Sequence, residues 1–461
     1  MGIFNNTLKI DENNPFQNDK LQREEEVRNL TSMFNVVDNQ MVLAVNSQWG
    51  TGKTSFLRMW NEYLKNHGYK TIFFNAWEND YVEEPFIAFV DEIRENINDE
   101  DKVKGFMEKA KEVSLALAKQ SPKIISKVIK NKTGIDSEEI ISNDELSRMV
   151  SEKIDNYNKN KKSVEEFRKE LEKIALKEFE HNTKPMIIFV DELDRCRPNY
   201  AISLLERIKH FFNVQNIIFI LGIDKEALSN SVRVIYGEQT DINGYLTRFI
   251  DLEYRLKKVN DVQYVEYLME KYKFTFMLKD KELLDIWLTE YTYPKILNIL
   301  VQVIGGFNLT LRDIEKFIVQ IYMILKANAN KLIYLHLLII LCAIKKINYG
   351  LYNRIKLMQI GYNELVQKLK QQNENIEKWL EDSITYEFKA FLIWLLNDNS
   401  EINKIKENKQ LENKDKRCLE YYTRIVSGIE DWNVNANEII SKENIFKMVE
   451  LYDNFTLIDG K

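Results

Sequence analysis

Apolar positions follow two rhythms along the chain. Residues 18–37 place Leu21, Val27, Leu30, Phe34 and Val37 near one face of a helix. Short unbroken apolar runs follow: MVLAV (41–45), TIFFNAW (71–77), MIIFV (186–190) and IIFILGI (217–223). Runs of this length between polar turns predict strands covered on both faces. Helical spacing returns in TSFLRMWNEYLKN, in residues 86–98 and from Ile202 to Phe212. Strands that alternate with helices predict a mostly parallel α/β sheet. Residues 99–184 are polar and helix-patterned with almost no strand signal, and read as a helical insertion. Beyond about residue 259 the pattern is helical throughout. Leu332 to Ile344, interrupted by His336, reads as a buried core helix. It falls short of the ~20 residues that a membrane span needs, so no integral span is expected. Residues 399–416 are very polar and predict a loop or an exposed helix end.

Composition narrows this picture. A chain of 461 residues exceeds one ordinary core, so two or three lobes are expected. Only 15 Gly and 6 Pro interrupt it, which favours helix. The net charge of −6 leaves no global basic field for a nucleic-acid backbone. Cys196, Cys342 and Cys418 lie far apart, and the four His are scattered. Neither set predicts a disulfide framework or a metal site, and a reducing cytoplasm fits. The N-terminus lacks a signal-peptide layout, and Asn6 makes MGIFNN a poor myristoylation match.

The candidate chemistry starts at Ser47-Gln48-Trp49-Gly50-Thr51-Gly52-Lys53-Thr54, between a predicted strand and a predicted helix. A loop around a polyphosphate must turn several backbone N–H groups inward, and glycine permits those dihedrals. The following helix adds its positive end. Lys53 then reaches the terminal phosphates, the Thr54 hydroxyl binds Mg²⁺, and Trp49, Thr51 and Ser55 complete the loop. The common pattern has glycine where this chain has Ser47. The second signal is MIIFV followed by Asp191-Glu192-Leu193-Asp194-Arg195. Asp191 is the candidate Mg²⁺ ligand, and Glu192 the candidate base that orients and deprotonates water. Asp194 is a second candidate base that sequence does not separate from Glu192. Asp224 ends the IIFILGI strand and reads equally as a phosphate sensor or as the cap of the next helix.

WGTGKTSFL (49–57), FFNAWENDYVEEP (73–85), MIIFVDELDRCRP (186–198) and FILGIDKEAL (219–228) together resemble the KAP-type P-loop NTPases. GYLTRFIDLEYRL (244–256) and LTLRDIEKF (309–317) extend the likeness over about residues 15–325. The resemblance implies an α/β P-loop NTPase of AAA+/STAND type, with a helical insertion and an all-α C-terminal lobe. The expected organisation is a first core segment (1–98), an insertion (99–184), a second core segment (185–258), a helical lid (259–345) and a C-terminal helical region (346–461). It implies phosphate binding by Gly50, Gly52, Lys53 and Thr54, and metal and water chemistry at Asp191, Glu192 and Asp194. Arg312 resembles a sensor arginine, and Arg248 and Arg195 are weaker transition-state candidates. Asn75 and Trp77 mark the family, with core packing the default for Trp77.

The implied activity is ATP hydrolysis with Mg²⁺ in a nucleotide-driven switch or assembly module. The setting implied is bacterial anti-phage defence, with a homo-oligomer or an effector protein as partner. The alternatives are a scaffold that holds ATP with negligible turnover and a nucleic-acid-associated motor. Residues 102–132 hold nine Lys and two Glu, with a Ser121-Pro122 cap between two helical stretches. They read as a helical hairpin with solvated lysines, or as a peripheral contact with membrane or nucleic acid.

Overall fold

The computed structural model describes residues 10–34, 40–97, 100–120, 143–176, 184–257, 261–274, 293–328, 334–372, 386–407, 413–431 and 442–451, with Ile376 and Trp379. The chain divides into two compact units, Leu8–Lys257 and a second from Lys258 onward.

The first unit is built on β1 (Met41–Asn46), β2 (Thr71–Asn75), β3 (Met186–Asp191), β4 (Ile217–Ile223) and β5 (Leu252–Arg255). Its helices are α1 (Glu24–Met33), α2 (Lys53–Asn66), α3 (Pro85–Glu95), α4 (Glu100–Gln120), α5 (Asn143–Leu176), α6 (Pro198–Phe211), α7 (Lys225–Tyr236) and α8 (Ile242–Leu246). The sheet order is β2-β3-β4-β1-β5, and every neighbouring pair is parallel. Parallel strands need both faces covered, which is why four of the five read as unbroken apolar runs.

Side chains alternate along each strand, and the two sets enter different cores. Met41, Leu43, Val45, Ile187, Phe189, Ile218 and Ile220 pack with Phe56, Leu57 and Trp60 of α2 and with Val27 and Leu30 of α1. Val42, Ala44, Ile188, Val190, Phe219 and Leu221 pack on the other face with α3 and α6. Register aligns Asn75 with Asp191, Val190 with Leu221, and Leu221 with Ala44. The carboxyl ends of β2, β3, β4 and β1 therefore stand side by side.

Two elements differ from expectation. Helix α1 is shorter than residues 18–37, because the Asp19 carboxylate accepts from the backbone N–H groups of Leu21, Arg23 and Glu24 and folds the approach into a turn. Gln22 sits there at φ 54°. Strand β5 carries no apolar run: it is an edge strand, paired among the described residues with β1 alone and largely exposed.

The described part of the insertion is helical. Helices α4 and α5 run antiparallel, with Ser163 donating to Glu112 (3.0 Å) and Lys109 meeting Glu166 (2.9 Å). Phe106 and Phe167 meet in a tilted pair at 5.3 Å, and Phe167 meets Phe86 of α3 (5.3 Å) and Phe212 (5.5 Å). This aromatic cluster joins the described part of the insertion to the sheet's core. Part of the basic face is paired, since Lys109 also meets Glu112 at 3.1 Å. Ser121-Pro122 and the rest of 121–142 lie outside the described residues.

Among its described residues the second unit is helical. Leu335–Ile347 is buried from Leu335 to Ile344, and no described helix is long and apolar enough to cross a membrane. The polar stretch expected as a loop or exposed helix end instead enters helices Asn399–Glu407 and Asn413–Asp431, with Ile402 and Ile405 buried. Trp379 packs against Phe307 (5.8 Å) and Phe388 (5.2 Å), and Trp394 against Tyr334 (5.3 Å). Trp432 lies outside the described residues.

Candidate nucleotide site

The loop after β1 is anchored at its entry, where the Ser47 N–H donates to Ile223 O (3.1 Å) at the end of β4. Gly50 (φ 78°) and Gly52 (φ 87°) take left-handed backbone that a β-carbon would strain. Ser47 has no positive φ, so its position does not require the glycine of the common pattern. Its hydroxyl accepts from Thr51 Oγ1 (2.9 Å), which also lies 2.8 Å from Gln48 O. Helix α2 starts at Lys53 and directs its unpaired N–H groups toward the loop.

Lys53 is buried, with Nζ 3.0 Å from Ser47 O and 3.9 Å from Asp194 Oδ2. Burial lowers its pKa, opposed by the charges of Asp194, Asp191 and Asp224 in that order. Asp191 closes β3 with 1% exposure. Burial pushes its carboxyl up to about 6, against hydrogen bonds from Thr54 and the Glu192 N–H. Its Oδ1 accepts that N–H at 2.9 Å, while Oδ2 is buried with no hydrogen-bond partner.

Gly222 of β4 makes this arrangement fit. A β-carbon there would stand 2.6 Å from Asp191 Oδ1 and 2.4 Å from Leu57 Cδ1. Sequence reading passed over Gly222, although a glycine inside an otherwise large, apolar strand signals close approach by a neighbour.

Glu192 takes left-handed backbone (φ 60°) as the chain leaves β3. Its carboxylate meets Arg195 Nη1 at 2.9 Å and lies 3.4 Å from Asn75 Nδ2. The Arg195 guanidinium stands 5.6 Å from the Trp77 ring centroid. Trp77 is 53% exposed, which corrects the expectation of core packing. Ala76 takes the inward position, and Asn75 Oδ1 accepts from the backbone N–H of Trp77 (3.1 Å) and Glu78 (3.3 Å), turning the chain outward. Arg197 fastens the same loop through Asp80 (2.9 Å). The FNAW and DELDRC segments thus form one network around Glu192.

Asp224 is a helix cap, its Oδ1 accepting from the N–H groups of Glu226 (3.1 Å) and Ala227 (3.3 Å). Asn46, also passed over in the sequence, ends β1 and joins its neighbours. It accepts from Lys225 N (3.0 Å) and donates to Glu253 (2.9 Å). Arg248 is exposed in the turn after α8. Arg312 belongs to the second unit, exposed in the first turn of helix Leu311–Ala327, which Thr310 caps.

Among the described residues no cluster of His, Cys, Asp and Glu forms a protein-only metal cage. The donors suit a cation held by one hydroxyl and one carboxylate and completed by phosphate and water, the manner of Mg²⁺. Asp191 Oδ2, buried and unpartnered, is the acceptor such an ion would use.

A five-stranded parallel sheet in this order, with a glycine loop leading from β1 into a helix and acids closing β3, defines a P-loop NTPase domain. The KAP family P-loop domain matches residues 23–328, and the chain belongs to that family. No curated protein matches the sequence. Among solved structures, the Aeropyrum pernix ORC2 protein is 11% identical, with 93% of each chain covered and a TM-score of 0.31. A Thermotoga maritima RuvB is 12% identical over 79% of this chain and 89% of its own, at TM-score 0.31. AMPPCP-bound DnaA from Aquifex aeolicus is 12% identical over 81% and 91%, at TM-score 0.24. Likeness at this level carries no functional argument, and the fold assignment rests on strand order and family.

Proposed function

We propose that the protein binds ATP with Mg²⁺ at the loop after β1 and hydrolyses it, using the turnover to drive a conformational or assembly switch. The observation that carries this reading is the convergence of buried Lys53, at the start of α2, with buried Asp191 and half-buried Glu192 at the end of β3. In this reading the backbone N–H groups of residues 49–55 and the Lys53 ammonium hold the phosphates. Thr54 and Asp191 would hold Mg²⁺, which supplies charge neutralisation at the phosphate oxygens. Glu192 accepts a proton from water, and Asn75 and Arg195 set its direction.

Arg312 as sensor arginine and Arg248 as an arginine acting across a subunit boundary are proposed on the family resemblance, as are a homo-oligomeric or effector-bound state and a role in anti-phage defence. The test of the chemistry is phosphate release by wild type, Lys53→Ala and Glu192→Gln, each with ATP binding measured beside it. Lys53→Ala loses binding, and Glu192→Gln binds without turnover. Equal rates in all three would remove the assignment, and wild type that binds ATP but leaves it intact for hours would favour the scaffold.

A further inference from the structure

Asp194 has a geometry that its candidacy as a base does not explain. It lies in the short 3₁₀ turn Leu193–Arg195, just past Glu192, with its side chain 1% exposed. Its Oδ2 accepts the indole N–H of Trp49, a residue of the phosphate loop, and lies 3.9 Å from Lys53 Nζ. Its Oδ1 is buried with no hydrogen-bond partner. One carboxylate oxygen therefore serves both the cation and the exposed tryptophan of the same loop. A buried ammonium is costly without an opposite charge, and Asp194 is the largest charge that offsets the burial of Lys53.

Resting on the nucleotide reading above, we propose that Asp194 and Trp49 form a counter-ion latch: Asp194 holds the Lys53 ammonium before nucleotide arrives, the Trp49 indole N–H aims that carboxylate, and the incoming polyphosphate takes Lys53 and breaks the Trp49–Asp194 bond. A polyphosphate outcompetes one carboxylate for an ammonium because it brings more charge and more acceptor oxygens. Until Mg²⁺ offsets its charge, it must also approach against Asp194. Trp49 is thus a positioning residue acting through Asp194, and Glu192 is left as the water-activating base.

The test is calorimetric binding of ATP, in EDTA and again with Mg²⁺, with tryptophan fluorescence recorded in the same titrations, for wild type, Asp194→Asn, Trp49→Phe and Lys53→Ala. Asp194→Asn removes both competitor and repulsion and binds magnesium-free ATP roughly tenfold more tightly. Trp49→Phe keeps a ring but loses the donor, so it binds about two- to threefold more tightly and loses the fluorescence change that wild type shows. A merely structural role for either residue predicts weaker binding, not tighter. Wild type that binds while Asp194→Asn binds equally or less well overturns the latch and leaves the nucleotide site standing. So does a fluorescence change that survives in Trp49→Phe. A wild type that binds no ATP with or without Mg²⁺, like Lys53→Ala, overturns the nucleotide reading and the latch with it.

Discussion

Gly222→Ala tests how closely β4 shapes the carboxylate of Asp191, the proposed Mg²⁺ ligand. The added β-carbon would stand 2.4 Å from Leu57 Cδ1 and 2.6 Å from Asp191 Oδ1. Ordinary heavy-atom contact is about 3.5–4.0 Å, so each neighbour must yield by roughly 1 Å. Leu57 and Asp191 are both buried, and Asp191 Oδ1 is already bonded to Glu192 N at 2.9 Å. Overpacking of this kind costs about 1–3 kcal/mol, which lowers the melting temperature of a domain this size by roughly 2–12 °C. The larger effect is on chemistry, since a shift of about 1 Å at a reacting centre costs on the order of 100-fold in rate. Lys53 is not among the three atoms nearest that β-carbon, so ATP binding is expected to be kept. The assay is phosphate release against Mg²⁺ concentration, with thermal unfolding alongside. The expected result is a large fall in turnover with a rightward shift in Mg²⁺ dependence. A variant with wild-type melting, turnover and Mg²⁺ dependence would refute the argument that Asp191 is seated by the missing side chain.

Further predictions concern charge and packing. Asp191 carries its proton to about pH 6 in the fold against an ordinary 3.8. Its cost to stability is therefore absent below 3.8, grows as the unfolded state releases its proton first, and is complete above about 6. Without nucleotide and Mg²⁺, Asp191→Asn should gain melting temperature over wild type as pH rises from about 4 to 6 and hold that gain above; a pH-independent difference contradicts this. Glu26 is buried, meets Arg23 at 2.6 Å and accepts from Tyr254 OH (2.5 Å), so Glu26→Ala strands a buried guanidinium and should cost about 3–5 kcal/mol in denaturant unfolding. Phe167→Ala opens the aromatic cluster between insertion and core, and should cost about 3–5 kcal/mol; a loss below about 1 kcal/mol would mean the insertion does not share the core.

What the sequence made legible follows from how each feature is encoded. Strands covered on both faces must be apolar throughout, so β1 to β4 stood out, whereas the exposed edge strand β5 offered only LEYR. The phosphate loop was readable because its glycines and lysine are dictated by local backbone and charge. The seat that Gly222 leaves for Asp191, and the Asn75–Glu192–Arg195–Trp77 network, join residues far apart in the chain. No local pattern encodes such pairings. Trp77 was misread for the same reason: a tryptophan defaults to the core unless a partner such as Arg195 holds it outside. Ser47 shows the reverse case, a departure from a common pattern at a position whose backbone tolerates any residue.

In the proposed function the loop, Thr54 and Asp191 hold a metal-bound polyphosphate. A crystal structure with a nonhydrolysable ATP analogue and Mn²⁺, read by the anomalous signal of the metal, tests it most directly. The metal is expected beside Thr54 and Asp191, with the terminal phosphate on Lys53. An empty loop, or a metal bound away from Asp191, would contradict it.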